Sequence, residues 1–259
     1  MQRDDPAVQL RREHAQAAQK GLKALMPLAG RPFLDYVVDS LLRAGLRQVC
    51  LVIAPDADAM RARALHIAET AHAHIECAVQ AEPRGTADAV LAAERFAGDD
   101  CFLLCNGDNL YPDEAVAAMA GKDGRECWLA AFDRDDLVRQ GNIAAQRVRD
   151  FAVVSASTDG RLMGIVEKPP DPERYIRDGR LWVNMNLYRF TPAVFEACRA
   201  VTPDPQRGEL ELTAAVAHLR EAGRTAFRVQ FCRGGVLDLT SRAEIALAER
   251  ILSGRKLCF

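Results

Sequence analysis

Several polar side chains stand where a short apolar run gives way to a turn. That is where an open α/β sheet presents groups to a ligand. DCFLLCNGD (100–108) delivers Asp108 onto such a turn, with Asn106 and Gly107 beside it. A carboxylate there, completed by substrate phosphates, is a sufficient protein contribution to a Mg²⁺ shell. The same NGDN would also make an Asx turn. Gln80-Ala-Glu-Pro-Arg-Gly85-Thr86 follows the run HIECAV. Its glycine lets backbone approach a ligand, and the helix it opens favours an anion at its N-terminus. A plain loop capped by Thr86 is the competing reading. Glu167-Lys168-Pro169 puts a lysine at the end of GIV, able to meet a phosphate as a point charge or to sit solvated at a hairpin end. Asp238, in GGVLDLT, is either a second carboxylate for the same metal or a cap for the helical stretch after it.

These groups need elements to hold them. RQVCLVIA (47–54), HIECAVQ (74–80), DCFLLC (100–105), ECWLAAF (126–132) and AFRVQFC (226–232) read as strands, the first as a buried one. PFLDYVVDSLLRAG (32–45) has a helical apolar face at 33, 34, 37, 38, 41 and 42. Helices are also predicted over 85–98, 112–121, 192–201, 208–223 and 242–252, and a hairpin joins 151–156 to 164–169 across the turn TDG. LWVNMNLYRF (181–190) is a strand with a polar interruption. The alternation predicts a Rossmann-like open mixed, mostly parallel sheet with helices on both faces. No linker divides the chain. Residues 1–259 read as one domain of two halves, about 1–150 and about 151–259.

The 259 residues carry 34 Lys plus Arg against 36 Asp plus Glu, a net charge of −2 that argues against nucleic acid or an anionic membrane as partner. No apolar run reaches the roughly 20 residues of a membrane helix, and the charged start has no signal-like core, so a cytoplasmic location is expected. The eight cysteines sit mostly in apolar runs and read as free thiols of a reducing compartment. His72, His74 and Cys77 read as two surface histidines and a core thiol, since a structural zinc site needs four ligands.

Taken in order, the motifs resemble the sugar-1-phosphate nucleotidyltransferases, or NDP-sugar pyrophosphorylases. Leu22-Lys23-Ala24-Leu25-Met26-Pro27 is similar to the family's lysine segment, and Gln80-x4-Gly85-Thr86-Ala87 to its base-recognition loop. Asn106-Gly107-Asp108, Val166-Glu167-Lys168-Pro169, Gly208-Glu209-Leu210-Glu211-Leu212-Thr213 and Leu237-Asp238 follow in the family's sequence order. The resemblance implies that a sugar 1-phosphate oxygen attacks the α-phosphorus of a nucleoside triphosphate and pyrophosphate leaves. It also implies Mg²⁺ on Asp108 and Asp238, Lys23 at the triphosphate and Lys168 at the sugar phosphate. Gln80, Gly85, Thr86, Asn106 and Gly107 would then meet the nucleotide, and Glu167, Asn186 and Glu209 the sugar. A homo-oligomer is left open.

Three departures stand out. Nothing before Lys23 resembles the family's first strand and glycine-rich loop, so the expectation is a missing first strand, with Met1 standing for an internal methionine, and weak triphosphate handling. Asp238-Leu239-Thr240-Ser241 replaces D-x-G-T, and Asn186 stands where the family has glycine. The alternatives are a non-catalytic homologue that binds a sugar nucleotide and a transferase for another phosphorylated acceptor. The sequence does not choose the base or the sugar.

Overall fold

A computed structural model describes residues 23–259 apart from Gln206, Arg224 and Ser241. The expectations about a missing strand, a missing loop and Met1 fall on residues 1–22 and lie outside the described residues.

The described chain starts with a 3-10 turn, Lys23–Leu25, and a hairpin of β1 (Pro27–Leu28) and β2 (Arg31–Pro32). Its two turn residues, Ala29 and Gly30, both have positive φ, as the tightest hairpin turns require. Helix α1 (Phe33–Arg43) follows and is buried from Phe33 to Leu42. It feeds three apolar clusters: Leu41 one, Phe33, Tyr36 and Val37 a second, Leu34, Val38 and Leu42 a third. Its buried acids are paired, Asp35 with Arg63, and Asp39 with Arg43 at 2.7 Å and with the Cys258 N–H at 2.6 Å. These bonds tie the C-terminal residues onto α1.

Strand β3 (Gln48–Ile53) and β4 (His74–Val79) run parallel in register from Gln48↔His74 to Ile53↔Val79. They are joined by α2 (Asp58–Ala71), a helix the sequence reading missed. The reason is plain: only Ala64 and Ile67 of α2 are buried, too few to print a helical period. Next come α3 (Thr86–Ala92), α4 (Glu94–Ala97), β5 (Phe102–Leu104), β6 (Asn109–Leu110), α5 (Asp113–Ala120) and β7 (Cys127–Asp133). The continuous helix expected over 85–98 is split at Ala93. Helix α6 (Arg134–Gln140), also unread, is capped by the Asp133 carboxylate, which accepts from the N–H groups of Asp135 and Asp136. The chain ends with β8 (Val153–Ala156), β9 (Leu162–Val166), β10 (Trp182–Phe190), α7 (Ala193–Ala200), α8 (Leu212–Ala222), β11 (Phe227–Cys232), β12 (Leu237–Asp238) and α9 (Arg242–Leu252).

Strand β10 organises the main sheet. One edge pairs antiparallel with β7; the other pairs with β8 at Val183 and with β5 from Tyr188 to Phe190. Strand β11 extends the sheet parallel to β7, and β9 hairpins onto β8. Strands β5, β7, β8 and β11 therefore share one direction, with β9 and β10 reversed. Alternation along β7 sends Cys127, Leu129 and Ala131 to a layer made with α3, α7 and α8. Ala130 and Phe132 face the opposite layer, with α5, α6 and Leu41 of α1. This is the open mixed α/β sheet with helices on both faces that the alternation predicted.

One reading is corrected. The run 47–54 is not a fully buried strand: Val49 and Ile53 are buried, Cys50 and Leu51 are half-buried, and Val52 is 37% exposed. Among the described residues β3 has a ladder to β4 alone and β5 to β10 alone. Likewise Cys77 is half-buried rather than a core thiol, while His72 and His74 are exposed as expected. All eight cysteines are free, and burial pushes the Cys105 thiol up to about 12.

The connection from β11 to β12 is pressed against the end of α6. A Cβ on Gly235 would lie 2.1 Å from the backbone of Gln140 and Gly141, and one on Gly141 2.5 Å from the Val236 carbonyl oxygen. The Asp136 carboxylate receives Arg233, Arg139 and the Gly234 N–H, and Arg233 above all holds it well below the usual carboxylate range. Two outcomes follow. Gly235→Ala should destabilise by about 1–3 kcal/mol in denaturant titration, because both clashing partners are backbone. Asp136→Asn should cost about 2 kcal/mol at pH 7. Since folding lowers the Asp136 pKa, its contribution exists above the unfolded value near pH 4 and fades as pH falls below it. The melting-temperature gap between Asp136→Asn and the unaltered chain should therefore close with acidification; a gap constant from pH 7 to pH 3 would contradict this pairing.

Candidate functional site

Strands β6 and β12 build one end of the site. Their register pairs Asp238 with Asn109, and the Leu239 N–H donates to the Asp108 carbonyl at 3.3 Å. Asp108, in the turn just before β6, is thereby held beside Asp238 of β12. Burial raises the Asp108 carboxyl above its ordinary range, and the charge of Asp238 raises it further; Lys23 and Arg147 pull the other way. Lys23, half-buried in the first turn, is thus within electrostatic reach of Asp108. Asp238 is 6% exposed. Its Oδ2 accepts from the Asn109 amide at 3.2 Å and its Oδ1 from Arg147 Nη1 at 3.2 Å. The same Nη1 bonds Glu244 at the start of α9.

Asn142 pins this corner. Its Oδ1 accepts from the Asp238 N–H at 2.7 Å, and its amide donates to the carbonyls of Asp238 at 2.7 Å and Glu244 at 2.8 Å. A buried side chain here substitutes for a missing strand neighbour.

The 80–86 loop builds the other end. Gln80 Nε2 donates to the Gly85 carbonyl and to Asp88, each at 3.0 Å, which closes the loop and leaves the amide oxygen to accept from a ligand. Gly85, with φ at 122°, is itself the N-cap of α3. A Cβ on it would stand 2.6 Å from the Leu210 backbone. The glycine is therefore required for contact with the 207–213 segment. Thr86 does not cap its own helix as expected; its hydroxyl accepts from the Leu212 N–H at 2.9 Å. The Leu210 N–H donates to the Arg84 carbonyl at 2.7 Å, and the Ala87 N–H to the Leu210 carbonyl at 2.9 Å. Two motifs more than a hundred residues apart in sequence are thus stitched into one wall.

Glu167 lies just beyond β9, open to solvent along part of its length. Its surroundings raise its carboxyl, opposed by a hydrogen bond with Thr213, while Glu211 raises it further. Glu209, the residue expected beside the sugar, is exposed, and the acid whose charge acts most on Glu167 is Glu211. Lys168 is exposed and holds φ at 40°; Asn186 holds φ at 58° at the β10 bulge between Asn184 and Tyr188. Positive φ in a side-chain-bearing residue is strained, and such strain gathers at functional sites. The Asn184 amide donates to Asn186 Oδ1 at 2.8 Å and its Oδ1 accepts from the Asn186 N–H at 2.9 Å, which keeps the bulge in shape.

Tyr111 connects the two ends. Its hydroxyl donates to the Met185 carbonyl at 2.7 Å and accepts from the Asn106 N–H at 3.3 Å. Asn106 in turn donates to Asn109 at 3.0 Å, and Gly107 is exposed beside it with open space above its α-carbon. A continuous chain of contacts therefore runs from the β10 bulge through Asn106 to the acidic pair.

The sequence reading missed Arg147, Asn142, Tyr111 and Glu244. Arg147 and Asn142 lie in an aperiodic stretch ahead of β8, where nothing in the sequence marks them. The donor set suits a Mg²⁺ ion: two carboxylates whose charges oppose each other, in reach of a lysine and of solvent for phosphate oxygens. No group of three or more His, Cys, Asp or Glu that could hold a metal alone occurs among the described residues, so substrate oxygens would have to complete the shell.

Known proteins resemble this chain along most of its length. Residues 18–235 match the protein family described as nucleotidyl transferase. A glucose-1-phosphate thymidylyltransferase of Streptomyces griseus is 32% identical over 202 residues, covering 78% of this chain and 52% of that protein. A UTP–glucose-1-phosphate uridylyltransferase of Haloferax volcanii is 29% identical over 203 residues, covering 78% of this chain and 76% of that one. The chain thus spans about half the length of the Streptomyces relative. A UDP-glucose pyrophosphorylase solved with UDP-glucose superposes with a TM-score of 0.70 over 90% of this chain and 91% of that one, at 17% identity, which establishes the fold. The chain belongs to the nucleotidyl transferase family.

Proposed function

We propose that the chain transfers a nucleoside monophosphate from a nucleoside triphosphate to a sugar 1-phosphate. An oxygen of the sugar phosphate forms the new bond to the α-phosphorus, the bond from that phosphorus to the β-phosphate oxygen breaks, and pyrophosphate departs with its electron pair. The observation that carries the reading is the convergence of Asp108, Asp238 and Lys23, joined through Asn106 and Tyr111 to the Asn186 bulge.

Each residue has a task that follows from its placement. Asp108 and Asp238 would hold Mg²⁺, which when bound neutralises the triphosphate oxygens. Lys23 contributes a further positive charge at the same end. The reaction needs no covalent nucleophile; it needs two anions brought together in line, which is a matter of charge and position. Lys168 would supply the charge for the sugar phosphate, and Glu167 and the Asn184–Asn186 pair would meet sugar hydroxyls. Gln80 would offer its amide oxygen to a base bearing an N–H, as uracil and thymine do at N3. The names of the relatives, thymidylyl and uridylyl transfer to glucose 1-phosphate, support a pyrimidine nucleotide and a hexose phosphate. Asn186, standing where the family has glycine, would narrow the space left for the sugar.

The direct test is pyrophosphate release with Mg²⁺, glucose 1-phosphate, and dTTP, UTP, CTP or ATP in turn. Release with dTTP or UTP well above the others is expected; no release with any triphosphate and a panel of sugar phosphates, from folded protein, would refute the reading. Lys168→Ala should lower kcat/KM for the sugar phosphate by about 2–3 kcal/mol, roughly 30- to 150-fold, with triphosphate affinity nearly unchanged. Equal losses toward both substrates would remove Lys168 from the sugar end. Asp108→Asn should abolish the metal dependence of triphosphate binding, read by calorimetry with and without Mg²⁺, and should raise the melting temperature without metal because it removes one of two mutually repelling carboxylate charges.

A further inference from the structure

Asp238, half of the acidic pair, is already engaged by a cation of the protein itself. Arg147 comes from the 3-10 turn Ala145–Asp150, and its side chain is only 20% exposed. A single nitrogen, Nη1, serves both Asp238 Oδ1 and Glu244, while the guanidinium carbon lies 5.6 Å over the Phe151 ring. The charge of Arg147 also reaches Asp108. Two carboxylates, those of Asp238 and Glu244, thus share one guanidinium, while Lys23 is the other cation acting on Asp108. The other Asp238 oxygen accepts from Asn109.

A divalent ion that takes Asp238 Oδ1 as a ligand must share that oxygen with Arg147, which weakens the hydrogen bond and places like charge beside the guanidinium. We propose that Arg147 is a built-in counter-ion which holds Asp238 until a divalent cation displaces it, so that Arg147 and the metal compete for the same carboxylate. The proposal rests on the metal assignment made above. Glu244 is what makes the exchange inexpensive: it retains Arg147 when Asp238 is given up, so the guanidinium is never left without an anion. The consequence is a site in which metal alone binds weakly and metal arriving with triphosphate binds well, since the phosphates supply both further ligands and an anion for the released edge of Arg147. By thermodynamic reciprocity, whatever Arg147 gains on Asp238 is subtracted from the metal's affinity.

The test is Mn²⁺ binding to the full chain without triphosphate, measured by water-proton relaxation, together with the melting-temperature rise on adding Mg²⁺. Arg147→Met should tighten Mn²⁺ binding at least fivefold and enlarge the Mg²⁺-induced rise, starting from a lower metal-free melting temperature. Arg147→Lys, too short to keep both carboxylates, should show part of the same gain and carries the test if the methionine variant fails to fold. Arg149→Met removes one positive charge from the same turn at an exposed position and should leave both readouts within twofold of the unaltered chain. Equal Mn²⁺ affinity in the Arg147 variants and the unaltered chain would overturn the proposal while leaving the metal assignment intact. A matching gain in Arg149→Met would also overturn it, since the effect would then be bulk charge. Absence of any Mn²⁺ response in all variants, with and without triphosphate, would overturn both.

Discussion

Two carboxylates held close together, one in the turn before β6 and one on β12, repel each other, and that repulsion is the constraint around which the site is arranged. The β6–β12 register and the Leu239-to-Asp108 bond fix the main chain of Asp108 and Asp238 whether or not a ligand is bound. With burial, the closeness of Asp238 disfavours the charged form of Asp108. Any protein that keeps such a pair must supply positive charge, and three sources are in reach: Lys23, Arg147 and a metal carried in with phosphates. Function in this reading is the orderly exchange among those sources.

The remainder of the fold serves that corner at a distance. Strand β12 is only two residues long and could not hold Asp238 by its ladder alone. Asn142 supplies hydrogen bonds to both sides of the Asp238 backbone, and the Gly141–Gly235 contact fixes the approach of the chain. Helix α1, buried nearly throughout, ties the cluster around Met26, Leu110 and Leu237 to the rest of the core. At the other end Gly85 lets the 80–86 loop lie against Leu210, so that this loop and the 207–213 segment share a wall. Between them the strained bulge at Asn186 is held by Asn184 from one side and Tyr111 from the other.

The legible part of this protein was what periodicity and local motifs encode. The strands read at 74–80, 126–132 and 226–232 are β4, β7 and β11 within a residue or so, because each is a compact apolar run. Asp108 and Asp238 were legible because each ends or closes an apolar run. Helix α2 was not, since it buries two residues and prints no period. Arg147 and Asn142 were not, because their significance comes from contacts 91 and 96 residues away, and a lone arginine or asparagine in an irregular stretch carries no local signature. Gly85 was singled out for its flexibility, and the fold adds a second use for it: it admits the Leu210 segment of its own chain. Thr86 looked like a helix cap, yet its hydroxyl serves Leu212, a use that only the folded chain reveals.

The most direct measurement is a crystal structure with Mn²⁺ and a non-hydrolysable pyrimidine nucleoside triphosphate, located by the anomalous signal of the metal. The account predicts one peak bridging Asp108 and Asp238, at the roughly 2.0–2.2 Å separations of a hard divalent ion, with triphosphate oxygens completing the shell and Arg147 withdrawn to Glu244. A bound triphosphate with no peak between these carboxylates, and with Arg147 still on Asp238, would contradict it.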